Sequence, residues 1–100
     1  MATITIDGTS HTAAHVPTAQ SNVLLIQAGC GFLGCGYFSV AVADRLGDAV
    51  AIVRGVKTLE EMLEVPVEEA SRAAQERGVT VGMSGREALR ILTATAPQGG

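Results

Sequence analysis

The hundred-residue sequence is poor in aromatic side chains, with one tyrosine, two phenylalanines and no tryptophan, so its core cannot be built on large rings. Hydrophobic residues make up 47%, but fifteen of them are alanines, which fill little volume. Long apolar runs are missing. The longest, near Val23 to Ile26 and Ala49 to Val53, are far too short to span a bilayer, and no basic leader opens the chain. A soluble, cytoplasmic protein with no membrane partner is expected. Positive charge is also scarce: seven Lys and Arg residues are interspersed with ten acids for a net charge of −3. That pattern argues against grip on a phosphate backbone, and no nucleic-acid partner is expected. Two cysteines, Cys30 and Cys35, are too few for a secreted disulfide framework, so free thiols are expected.

What is present fits one small domain, residues 1–93, followed by a flexible tail, residues 94–100. A chain of this length buries roughly two thirds of its unfolded surface. With short side chains, helices must sit close to a sheet, and self-association supplies burial that a single copy lacks.

Residues 3–6 alternate polar and apolar as a half-buried strand does, and Asp7-Gly8 signals a turn into a returning arm from Thr9 to Val16. Residues 17–22 read as loop and Val23 to Ala28 as a buried strand. Val40 to Leu46 fits a short helix ended by Gly47, ahead of a second buried strand from Ala49 to Arg54. Thr58-Leu59-Glu60-Glu61 and Ser84-Gly85-Arg86-Glu87 each place a hydroxyl at a helix N-cap with a carboxylate three residues on. Between them, Pro66 suits the first position of a helix that carries Ala70, Ala73 and Ala74 on one face and closes at Gly78.

Gly29-Cys30-Gly31-Phe32-Leu33-Gly34 matches the glycine fingerprint of dinucleotide-binding folds. The match fails on physical grounds. The required helix would run through Phe32 to Val42 with Gly34 and Gly36 inside it, at about 1 kcal/mol each relative to alanine. The next strand ends in Arg54-Gly55 where an acidic residue is needed, and what remains cannot build the other half of such a fold. No cofactor is implied. A hairpin explains the stretch better: Gly29 to Gly31 turn, and Phe32 to Phe38 return as a strand with Phe32, Gly34, Gly36 and Phe38 on one face and Leu33, Cys35 and Tyr37 on the other. Glycines at 34 and 36 then make room for the alanine-faced helix or for a ligand.

Three segments carry a family resemblance: Leu33 to Gly36, Gly47 to Thr58, and above all Gly78-Val79-Thr80-Val81-Gly82-Met83-Ser84-Gly85-Arg86-Glu87-Ala88-Leu89. Over roughly residues 22–92 the chain resembles the YunC-like family of small bacterial and archaeal proteins of unknown function. The resemblance implies a compact α+β domain whose N-terminal β region, residues 1–21 here, takes part in forming a tetramer. It implies no reaction, cofactor or catalytic residue.

The expected architecture is therefore α+β: a small mixed, largely antiparallel sheet with N-terminal hairpins and three to four helices packed on one face. The other face, or the edge strand, is closed by another copy. Candidate chemistry has two forms. Lys57, Thr58, Ser84, Gly85 and Arg86 combine helix N-termini with cations, which suits a small anionic metabolite, although acids in both first turns already oppose the helix dipoles. Alternatively Cys35 serves as the nucleophile of a cysteine-dependent enzyme, with a base supplied by His11 or His15; a small buried hydrophobe is the plainer account of this residue. On a strand, His11 and His15 stand roughly 13 Å apart, too far to share a metal ion, and solvent-facing histidines near a subunit contact are expected instead. Arg86 and Arg90 form a solvated or intersubunit charge face.

Overall fold

In the computed structural model, which describes residues 2–29 and 31–94, six strands form one sheet in sequential order. They are β1 (Ala2–Ile6), β2 (Thr9–Pro17), β3 (Asn22–Ala28), β4 (Gly31–Gly34), β5 (Ala49–Ile52) and β6 (Glu69–Ala70). Every neighbouring pair is antiparallel except β4 and β5, which run parallel through the helix α1 (Val40–Leu46). Asp7 and Gly8 both take positive φ, 51° and 84°, the geometry of a two-residue turn that matches strand twist. Ile6 therefore faces Thr9 across the first hairpin.

Gly29 and Gly31 bracket the β3–β4 hairpin, and Phe32 runs extended beside Gln27, so the dinucleotide spiral is absent. The returning strand is shorter than its sequence suggests: it stops at Gly34, and Phe38 N–H closes a turn on the Cys35 carbonyl at 3.1 Å. The cause is aromatic packing. Phe38 folds back over the bare Gly34 backbone, where a Cβ would lie 2.7 Å from its ring, and meets Phe32 edge-on with centroids 5.2 Å apart. The room left by Gly34 is thus filled by phenylalanines rather than by an alanine-faced helix or a ligand.

The helices α2 (Arg72–Glu76) and α3 (Gly85–Ala94) complete the fold with a 3₁₀ turn at Glu61–Leu63. The Thr58 capping box forms in a shifted version: Thr58 Oγ1 accepts from Glu61 N–H at 3.1 Å, while Glu61 Oε1 accepts from Lys57 N–H at 2.6 Å, one residue before the expected N-cap. It opens only a 3₁₀ turn, because Pro66 lies too close downstream and disfavours helix at the residue before it. Pro66 does not start a helix. Residues 66–70 stay extended, with Glu68 N–H on the Ile52 carbonyl and Val67 N–H on that of Met83, so sheet pairing takes Ala70 while Ala73 and Ala74 are helical as expected. Ser71 caps α2 instead. Ser84 Oγ caps α3 by accepting from Glu87 N–H at 3.1 Å, and α3 includes Ala94; the rest of the expected tail, residues 95–100, lies outside the described residues, as does Cys30.

The α+β class and the mixed sheet stand as expected, but the helices do not all share a face. On one side Leu24, Ile26, Leu33 and Ala51 pack beneath Leu89 and Leu92 of α3. On the other, α1 sets Ala43 against Val50 and Ile52, with Phe32 and Phe38 beside them. The strand β5 is buried on both faces, as a parallel-paired interior strand requires. Alternation forces the split, since Ala49, Ala51 and Val53 face α3 while Val50 and Ile52 face away. No helix among the described residues is long and apolar enough to cross a membrane.

Ser71, fully buried, ties these parts together. Its Oγ accepts from Val50 N–H at 2.8 Å, donates to the Asp48 carbonyl at 2.8 Å and caps Ala74 N–H at 3.3 Å. Ser71→Ala removes a cap and leaves buried backbone groups unpaired, so urea unfolding should show a loss of about 2 to 4 kcal/mol. A loss below about 1 kcal/mol would contradict that role.

Candidate functional site

The chain turns away from the sheet just past the carboxyl ends of the two parallel strands. Residues 35–37 leave β4 and residues 53–57 leave β5, and the gap between them is a cavity of about 450 Å³. In open sheets this edge of a parallel pair is where ligands gather. Asn22, Cys35, Tyr37, Arg54, Val56 and Lys57 line it. The Arg54 stem runs alongside Gly36, at van der Waals distance from where a Cβ would lie.

Arg54 is ion-paired with Glu68 and Glu69, and these contacts, that with Glu69 foremost, raise its pKa. Among the described residues no carboxylate stands within ion-pair distance of the Lys57 ammonium. Lys57 is thus the cation at this edge open to a ligand.

The thiol of Cys35 borders the same cavity but is 4% exposed and packed in the core. Its sulfur accepts from Leu24 N–H at 3.3 Å and its S–H points to the Asn22 carbonyl at 3.8 Å. Neither partner is a base. His15 Nε2 contacts Asn22 Oδ1 at 2.8 Å, and His11 Nδ1 lies 2.8 Å from the Gln27 carbonyl. Nothing in this arrangement supports a cysteine enzyme. His11 is not solvent-facing as expected; at 8% exposure it is buried on the core side of β2.

The remaining residues singled out from sequence do not surround the Lys57 cavity. Thr58 and Ser84 spend their hydroxyls on caps, and Gly85 is pressed against the Met62 carbonyl, where a Cβ would lie 1.9 Å away. Arg86 stands over an adjoining crevice of about 370 Å³ that shares Gly55 and Val56 with the Lys57 cavity and has Glu60, Glu61 and Glu64 on its walls, an environment that repels anions. Its guanidinium is held by Glu64 and Asp7, each at 2.9 Å, which raise its pKa in that order. Asn22 and Tyr37 were not foreseen at the site. The capping patterns drew attention to helix starts, whereas the cavity is made by a β4 strand that ends early.

Comparison with known proteins follows the same lines. The family model described as domain of unknown function DUF1805 matches residues 34–92. The chain belongs to this family. It is 36% identical over 90 residues to the uncharacterized protein YunC of Bacillus subtilis, covering 86% of this chain and 89% of YunC. Its fold is similar to the crystal structure of a protein of unknown function from Thermoplasma acidophilum, with a TM-score of 0.84 and 32% identity over 91% of this chain and 89% of that one. The DUF1805 match begins at Gly34, where β4 ends and the cavity opens.

With Cys30→Ser leaving one thiol, Cys35 in the native protein should react with a thiol reagent roughly a thousandfold or more slowly than in urea, because access requires opening of the fold. Rapid native reaction at neutral pH would contradict a purely packed thiol.

Proposed function

We propose that this DUF1805 chain is a homo-oligomeric binding module that takes a small anionic metabolite at the Lys57 cavity. The observation that carries the ligand reading is the unpaired Lys57 ammonium at the carboxyl edge of the parallel pair, beside the Asn22 amide and Tyr37 hydroxyl. An anion there gains a cation without displacing an existing pair, whereas at Arg86 it would have to displace two carboxylates and approach three glutamates.

Self-association is supported by the sheet face that α1 covers only in part. Val16, Tyr37, Val42 and Leu46, 46% to 69% exposed, lie on that side, and the latter three border an apolar hollow with Phe32 and Phe38. Exposed apolar side chains grouped on one side of so small a domain suit self-association. Val16 belongs to the N-terminal β region, so a tetramer built partly through residues 1–21 is the assembly proposed, in a cytoplasmic setting.

Light scattering should therefore give a mass above that of one chain, and Leu46→Lys together with Val16→Glu should shift it toward the monomer; a wild-type monomer would overturn the assembly. In a thermal-shift screen of phosphate and small carboxylates, a ligand at a hundred times its dissociation constant adds about 2.7 kcal/mol. Lys57→Ala should abolish that gain, and a gain that persists in Lys57→Ala would place the ligand elsewhere.

A further inference from the structure

A second cavity, of about 280 Å³, lies between the β1–β2 hairpin and α3, away from the Lys57 edge. Its apolar wall is Ile6 and Leu89, and its polar groups include His11, Arg90 and Thr93. His11 occupies a core-side position on β2, opposite Ile4 and two residues from the fully buried Ala13. Nδ1–H donates to the Gln27 carbonyl at 2.8 Å, so in the neutral ring Nε2 has no proton and can only accept. A buried ring with one nitrogen fixed and the other left to a cavity is a built acceptor.

We propose that this cavity binds a small α-hydroxy carboxylate with a short apolar tail, independently of the Lys57 site. The group facing His11 Nε2 must donate, which a carboxylate cannot do and a hydroxyl can. The carboxylate goes to Arg90, whose ion-pair partner among the described residues is Glu87 on the same helix face, an exposed pair of the kind that contributes little to stability, with Asp7 also within electrostatic reach. Arg86, paired with Asp7 and Glu64, lies at the rim. Thr93 donates to the Leu89 carbonyl at 2.7 Å, so it has no proton left for the ligand, whose single hydroxyl proton goes to His11. Asp7 and Glu87 beside the cavity disfavour a dianion such as phosphate, and the Ile6 and Leu89 wall favours a branched or short alkyl tail.

Calorimetry on the full chain with α-hydroxyisovalerate, and with isovalerate as the analogue lacking the hydroxyl, tests this. The hydroxy acid should bind with a millimolar constant and the deoxy acid about tenfold more weakly, since a lost hydrogen bond to a buried acceptor is worth about that factor. Arg90→Gln, an exposed substitution that leaves the fold intact, should weaken the hydroxy acid by a similar factor, and excess phosphate should not displace it. Nitrogen NMR of the His11 ring in the wild-type protein should show Nδ1 protonated and Nε2 bare, with the Nε2 signal moving on titration. Equal binding of the two acids, no effect of Arg90→Gln, displacement by phosphate, or no binding at all would each overturn the proposal.

Discussion

The close approach of β4 to β5 is the constraint on which the rest of the structure rests. At Gly31 the two backbones come so near that a Cβ would lie 1.7 Å from the Ala49 carbonyl oxygen. No side chain fits there. Three residues on, Gly34 again presents bare backbone, now beneath Phe38, and its carbonyl accepts from Val53 N–H at 2.9 Å. These glycines let an antiparallel hairpin hand over to a parallel strand within four residues.

Two consequences follow from that handover. A parallel partner demands a crossover, and the crossover helix α1 lands on the side of the sheet away from α3, which buries Val50 and Ile52 but leaves Val16, Tyr37 and Leu46 exposed. Both strands of a parallel pair also end at the same edge, so the chain departs there twice and a cavity opens between the departures. The uncovered face and the Lys57 crevice are therefore products of one topological event. An all-antiparallel sheet of these strands would place β4 and β5 ends at opposite edges.

Much of this was legible in the residues. Asp7-Gly8, the Gly29 to Gly31 turn, Gly47 as a left-handed cap and Ser84 as a hydroxyl cap act through local geometry and appear where their chemistry puts them. The misreadings share a cause. Pro66 to Ala70 look helical locally, yet the unpaired edge of β5 captures residues 68–70 through hydrogen bonds to a strand distant in sequence. Likewise β4 stops at Gly34 because of a ring four residues on. The predicted anion site followed capping boxes, whose hydroxyls and carboxylates satisfy one another; the cavity instead depends on which strand ends coincide, and that is set by pairing.

Amide hydrogen exchange tests the central claim most directly. If the β4–β5 pair is the keystone, the amides of Val53 and Cys35, bonded to the Gly34 and Leu24 carbonyls, should exchange only through global unfolding and match the slowest amides of β3. If Val53 and Cys35 open at markedly lower free energy while β2 and β3 stay protected, the parallel pair is a peripheral addition and the account fails.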